Sequence, residues 1–443
     1  MAQYIKYKSY TLANFRQIAQ LEYLSEEQKF DIEVVGNVLP FKTNNYVINE
    51  LINWESPFSD PIFVLTFPQK EMLEPHHFEQ VANLLKSGAD KATLTETVNK
   101  IRQQLNPHPA GQIDYNVPEI DGLRIPGLQH KYRETLLFFP SHGQTCYAYC
   151  TFCFRWPQFV GVDEWKFAMT ETETLVEYLK LHTEITDILF TGGDPLIMSA
   201  KRLALYIEPL LSPELAHLQT IRIGTKALGY WPFKFTTDDD AQELLQLFEQ
   251  IVKSGKNLSI MAHFNHPVEL STNVVKQAIA NVIGTGAQIR SQSPVMKFIN
   301  DTPEIWAEMW RKLVNLNCIP YYFFIARDTG AQHYFAVPLV KTWDIFRKAY
   351  QQVSGVCRTV RGPSMSSTPG KIQILGVVEL PFNGEKKNYF ALRFIQGRNP
   401  DWVGRPFFAE YDENAIWLDD LKPAFGETKF FFEDEFEEKY HKR

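Results

Sequence analysis

A chain of 443 residues is too long for one simple core and suits two or three domains. With 44% hydrophobic and 22% charged residues it has an ordinary globular make-up, and five cysteines are too few for a disulfide scaffold. A net charge of −7 argues against a broad phosphate-binding face, so nucleic acid is not an expected partner.

The start, MAQYIKYKSYTLANFRQ, shows no apolar run followed by a small-residue cleavage site. No uninterrupted apolar stretch approaches the ~20 residues a membrane span needs, so no membrane partner is expected. A reducing cytoplasm is the expected compartment. Residues 1–110 read as a helical N-terminal region. SEEQKF opens a helix with a capping-box pattern, Ser25 followed by Gln28, and Pro40 closes that segment. Two more helices are expected, one ending at Gly88 and one at Pro107. Residues 111–133 lie in a Pro/Gly-rich stretch without periodicity, read as a linker or extended wrap.

Residues 134–350 alternate. Strands are expected at 135–140, 187–192, 220–225, 257–264, 287–295 and 319–326, the last of the series, with amphipathic helical text between them. Six strand-then-helix units argue for an α/β fold with a parallel sheet and right-handed crossovers. Six is short of the eight that close a full barrel, so an open, partial (β/α)6 barrel is expected. Chemistry in such folds collects at the C-terminal edge of the strands. There the chain carries the cysteine loop, TGGDPL, GTKAL, HFNHP, SQSPVMKFIND and ARD, in that order.

The cysteine loop, CYAYCTFCFRW, spaces Cys146, Cys150 and Cys153 as C-x3-C-x2-C. Structural zinc wants four closed ligands, and no partner pair follows at finger-like spacing, although His142, Cys318 or Cys357 could complete a tetrahedron. A [4Fe–4S] cluster is normally held by four thiolates, so three leave one iron open for chemistry. Spacing alone favours the three-ligand cluster over zinc or inert buried thiols.

This spacing, after the first strand of six α/β units, resembles the signature of radical S-adenosylmethionine enzymes. FTGGDPL, RIGT, HFNHPVE, QSPVMKFIND, PYYFF and the upstream GLQHKYRETLLF are similar to the lysine 2,3-aminomutase branch, over roughly residues 120–375. The resemblance implies that Cys146, Cys150 and Cys153 hold the cluster and that S-adenosylmethionine chelates the open iron. Reductive cleavage then yields a 5′-deoxyadenosyl radical that abstracts a substrate hydrogen. It also implies pyridoxal 5′-phosphate as the carrier of the migrating amine, a small amino-acid substrate, and a reductase or flavodoxin-type electron donor.

The resemblance carries over residue by residue. Gly192, Gly193 and Asp194 match the turn along the methionine amino group, where glycine allows close backbone approach and the acid can pair an ammonium. Arg155 matches the arginine that pairs the substrate α-carboxylate. His263, Gln292 and Asn300 match positions around the adenosine, methionine and pyridoxal groups. Lys371, in SSTPGKIQI, falls where the family has a glycine-rich turn bearing the Schiff-base lysine, although only Gly370 remains of the glycines. The two phosphate arginines of the family are replaced by Lys131 and Thr135, with Arg133 between them. Where two aspartates hold the distal ammonium of lysine, this chain has Arg327, or Asp328 with a slip of one, and Ser364. An ammonium beside Arg327 is repelled and a carboxylate attracted, so an acidic or neutral substrate is expected rather than lysine.

Residues 351–443 carry the candidate lysine and a mixed extension, with a hairpin expected at Asn383-Gly384. Its aromatics could cover the open side of the barrel or form the interface of a homo-oligomer, and the acidic end reads as a solvated tail. The expected function is a pyridoxal-dependent 2,3-aminomutase. The alternatives are a pyridoxal-independent radical epimerase or C–H- or peptide-modifying enzyme, and a non-catalytic metal protein.

Overall fold

The computed structural model describes residues 5–106, 115–161 and 167–440. Residues 107–110 at the end of the expected helical region, residues 111–114 of the expected linker and the last three residues of the acidic tail lie outside them.

One eleven-stranded mixed sheet organises the chain, and its strands lie side by side in chain order. They are β1 (Leu128–Tyr132), β2 (Thr135–Phe138), β3 (Asp187–Phe190), β4 (Thr220–Thr225), β5 (Asn257–Ala262), β6 (Gln288–Val295), β7 (Ile319–Ile325), β8 (Arg361–Ser366), β9 (Gly370–Phe382), β10 (Glu385–Gly397) and β11 (Pro406–Glu410). The pairs from β2 through β8 are parallel. The outer pairs are antiparallel. Sequential parallel neighbours require a crossover each time, and helices supply most of it. The helices are α1 (Thr172–Leu181), α2 (Ala200–Ile207), α3 (Ala241–Lys253), α4 (Asn273–Gly284), α5 (Pro303–Asn315) and α6 (Leu339–Gln351).

The six expected strands are all present, but two neighbours extend the series. β8 is a seventh parallel strand, not a loop after the last one. Its RGPSMS text has too much Gly, Pro and Ser for strand propensity, and pairing with β7 decides the outcome. Gly362 is part of that fit: a Cβ there would meet the Phe323 carbonyl oxygen at 2.5 Å. β1, at the end of the expected linker, is an antiparallel edge strand whose polar LQHKY pattern gave no alternation. SSTPG is likewise only partly a turn, because Lys371 is the second residue of β9 and pairs with Ser366 and Gln396. Gly370 serves close approach to β10, where a Cβ would meet Gln396 O at 2.4 Å. The hairpin at Asn383-Gly384 forms as expected, with positive φ at both residues (51° and 82°).

The N-terminal residues fold as helices over Glu26–Val38, Pro75–Lys86 and Lys91–Gln104, and Ser25 and Gln28 make the capping box. Their apolar faces join one continuous core with the strand-and-helix series, from Tyr10 to Val360. A second core, rich in Phe and Trp, sits under β9–β11. No helix among the described residues is long and apolar enough to cross a membrane.

Candidate active site

Parallel strands put their C-terminal ends on one edge, and the cysteine loop follows β2 there. The loop is held mostly by the N-terminal region. Tyr149 N–H donates to Lys42 O (2.8 Å), Thr151 N–H to Leu65 O (2.9 Å), and Tyr7 Oη to Tyr147 O (2.8 Å). Fully buried Asn44 donates to Tyr147 O and Tyr230 O, and accepts from the N–H groups of Tyr46 and Val47. Cys146, Cys150 and Cys153 are free thiols, each partly buried. Burial raises all three thiols, Cys150 to about 12; beside Cys146, Asp194 and the other two thiols add to the effect. Each thiol also has its own opposing cation: Lys42 by Cys146, Lys226 by Cys150 and Arg155 by Cys153. Cys150 Sγ further reaches Tyr230 Oη at 3.8 Å.

Among the described residues no three His, Cys, Asp or Glu side chains converge on a single metal ion. Three thiols on one loop with a cation beside each suit a larger polythiolate group, whose negative charge those cations offset.

The glycine turn after β3 packs directly on this loop. A Cβ on Gly192, whose φ is 127°, would come within 2.2 Å of the Gln144 amide, and one on Gly193 within 2.5 Å of the Thr145 backbone. Asp194 N–H donates to Thr145 O (2.7 Å). The Asp194 carboxylate is buried and already engaged: Thr225 Oγ1 donates to both oxygens at 2.8 Å, Lys226 N–H to Oδ2 at 2.8 Å and Leu196 N–H to Oδ1 at 3.0 Å. Asp194 therefore ties the turn to the end of β4 and has little capacity left for a ligand ammonium. Lys226 ammonium lies under this junction, donating to Glu269 Oε1 (2.5 Å), Asn265 Oδ1 (2.8 Å) and His263 O (3.1 Å).

The half-buried ring of His263 stands edge-on to Phe152 of the cysteine loop, centroids 5.7 Å apart. Burial, then the charge of Lys226, holds it well below the usual imidazole range, so it is neutral at pH 7. Gln292 sits at a bulge in β6, in register with Tyr322. Asn300 is fully buried and used within its loop: its amide donates to Asn265 O and Pro294 O, and its oxygen accepts from Met296 N–H. Its side chain shapes the loop rather than facing an opening.

A second group of residues gathers around Tyr322. Lys371 Nζ lies 4.2 Å from the Tyr322 ring centroid and 5.6 Å from that of Phe324, and donates to Gln396 Oε1 at 2.9 Å. Burial, then the charges of Arg222 and Arg361, lowers its pKa to about 7. Lys131 donates to Ser367 O, and burial followed by repulsion from Arg398, Arg327 and Lys371 takes it well below the usual lysine range. Arg155 and Arg327 flank Phe154, with cation-to-centroid distances of 5.0 and 5.3 Å. Arg327 Nε is 3.8 Å from Asp328 Oδ1, too far for a hydrogen bond. Ser364, fully buried on β8 beside Phe324, has an unpartnered hydroxyl. Arg155 is the link between the two groups, since it neighbours both Cys153 and Arg327.

A protein of Aquifex aeolicus, provisionally named an L-lysine 2,3-aminomutase, is 31% identical over 409 residues, covering 92% of this chain and 95% of its own. The chain belongs to the L-lysine 2,3-aminomutase family. It is therefore an enzyme of the radical S-adenosylmethionine type. The L-lysine 2,3-aminomutase of Acetoanaerobium sticklandii is 27% identical over 233 residues, 53% of either chain. No family model matches. A radical SAM methyltransferase from Sphaerobacter thermophilus aligns with 66% of this chain and 94% of its own at TM-score 0.36 and 12% identity, too distant a likeness to decide anything further.

Several residues of this aminomutase-family site escaped the sequence reading. Lys226 and Glu269 lie inside the motifs GTKAL and HFNHPVE at strand ends, so position alone could have flagged them. Lys42 and Asn44 sit on a short strand, Lys42–Asn44, that pairs with Ser9–Thr11 and carries no such signal.

Proposed function

We propose that this chain is a pyridoxal 5′-phosphate-dependent 2,3-aminomutase acting on an amino acid other than lysine, built on a six-unit partial barrel extended by β8. Lys371 carries the reading. Its amine is desolvated against two aromatic rings and has a pKa near 7, and its backbone pairs with Ser366 at the C-terminal end of β8. A lysine that is substantially neutral at pH 7 is competent for Schiff-base chemistry.

In this reading Cys146, Cys150 and Cys153 hold a [4Fe–4S] cluster, and Lys42, Lys226 and Arg155 balance its charge. With S-adenosylmethionine that cluster supplies a hydrogen-abstracting radical, and pyridoxal phosphate supplies the carbonyl that carries the amine. Gly192 and Gly193 let the turn seat against the cluster loop, and Asp194 and Asn300 hold their loops in place. His263, neutral, and Gln292 line the side where S-adenosylmethionine binds. Lys131 serves the cofactor phosphate, and Arg155 clamps the substrate α-carboxylate. Arg327, Asp328 and Ser364 read the far end of the substrate. Arg327 there disfavours an ammonium, hence an amino acid other than lysine. A flavodoxin-type reductase supplies the electron.

Borohydride reduction of anaerobically reconstituted enzyme supplied with pyridoxal phosphate, followed by peptide mapping, tests it. The expected product is a phosphopyridoxyl adduct on Lys371 that is lost in Lys371→Ala. An intact cluster that cleaves S-adenosylmethionine without any adduct would move the enzyme to pyridoxal-independent radical chemistry.

A further inference from the structure

The buried guanidinium of Arg155 and the partly exposed one of Arg327 (side chain 28% exposed) share the Phe154 ring, so they lie no farther apart than their two distances to its centroid combined. Each leaves a buried nitrogen without a hydrogen-bond partner, Nη1 of Arg155 and Nε of Arg327. Other cations near Arg327 are engaged by neutral acceptors: Lys131 by Ser367 O, and Arg398 by Thr368 O, Tyr115 O and Asn116 Oδ1. The nearby acid, Asp328, stands 3.8 Å from Arg327 Nε and makes no hydrogen bond to it.

Two guanidiniums on one ring, one buried and one partly so, each with a buried donor left open, are costly unless a ligand brings anions to them. A planar guanidinium matches a carboxylate with two parallel hydrogen bonds. An α-carboxylate fills one such place, at Arg155. A neutral side chain leaves Arg327 unpaired, and an ammonium is repelled by it.

We infer that Arg327 binds a second carboxylate, at the distal end of the substrate, and that the enzyme takes a dicarboxylic L-α-amino acid. This rests on the aminomutase reading above and narrows it to one substrate class.

Titration calorimetry on anaerobically reconstituted enzyme carrying cluster, S-adenosylmethionine and pyridoxal phosphate tests it, with L-glutamate, L-aspartate, L-glutamine and L-lysine as probes. A dicarboxylate is expected to bind at least about tenfold more tightly than L-glutamine or L-lysine. Arg327→Gln removes that preference, Arg327→Lys restores part of it, and an unchanged cluster EPR spectrum in both variants shows that the site is still assembled. The inference is overturned if L-glutamine or L-lysine binds as tightly as the dicarboxylates. It is equally overturned if Arg327→Gln keeps the preference and loses affinity for pyridoxal phosphate, since the cation would then serve the phosphate. Deuterium transfer from labelled substrate into 5′-deoxyadenosine separates the two failures. Transfer from a neutral amino acid alone keeps the aminomutase reading and sinks the dicarboxylate inference. Absence of transfer from every amino acid sinks the aminomutase reading, while calorimetry still reports whether Arg327 selects a carboxylate.

Discussion

The cysteine-loop side of the site and the side around Tyr322 are built on opposite principles. On the first, polar groups meet partners inside the protein: Asp194 accepts four contacts, Asn44 makes four and Asn300 three. On the second, buried polar atoms of Arg155, Arg327 and Ser364 lack them. The partnered network fixes geometry, although Gln144 Oε1 and Thr43 Oγ1 are left open within it, whereas open donors in a low-dielectric site are suited to a ligand. In the proposed reading one side is a mount and the other a receptor.

The sharpest break of that contrast is at the mount. Cys153→Ser should abolish S-adenosylmethionine cleavage and lower iron content well below that of the wild type, because a hydroxyl is a poor substitute for an iron-ligating thiolate. Iron and sulfide analysis with EPR checks it. If the variant kept a full cluster, the cysteine loop would not be what holds it.

At the receptor the next largest effect is the reactivity of Lys371. Its folded pKa of about 7 lies below the ordinary 10.5, so the fold disfavours its charged form. That penalty on stability is full below pH 7 and fades as pH rises from 7 toward 10.5, where the unfolded chain also loses its proton. Half-maximal reductive methylation of Lys371 is therefore expected near pH 7, read by mass spectrometry against surface lysines such as Lys100. Arg361→Gln, which removes one repelling charge, should move the midpoint upward.

Much of the mount was legible in the sequence, because its chemistry is local. The cysteine spacing, the TGGDPL turn and the strand ends that carry them are contiguous patterns, and six of the parallel strands follow from apolar runs. The receptor was less legible. β8 has the composition of a loop, and only pairing with β7 makes it a strand; that same strand carries Ser364. Lys371 was legible as a position from the resemblance, but not its burial, because Tyr322 and Gln396, which pack on it, lie far from it in the chain. Asp194 and Asn300 were legible as positions but not as roles, since their hydrogen bonds reach across strands and loops.

Stability separates the two sides further. Glu269 is fully buried and pairs with Lys226 at 2.5 Å. Glu269→Gln leaves a buried ammonium short of its counter-charge and should cost about 3–5 kcal/mol. Asn300→Ala orphans one N–H and two carbonyls and should cost roughly 2–4 kcal/mol. Urea unfolding of the cluster-free protein, monitored by far-UV circular dichroism, measures both.

The smallest effect is expected on the receptor side, at Ser364. Its hydroxyl is buried and has no partner, so Ser364→Ala removes an unsatisfied group instead of breaking a bond. The loss of one oxygen from a packed site and the relief of its desolvation nearly cancel, leaving stability within about 1 kcal/mol of the wild type. Substrate affinity should fall by a larger margin than stability if, as proposed above, the hydroxyl gains its hydrogen bond from the ligand. A loss of several kcal/mol in Ser364→Ala unfolding would mean that the hydroxyl already has a partner in the free protein. The open donors beside Tyr322 would then be parts of a second mount, and the contrast between the two sides would fail.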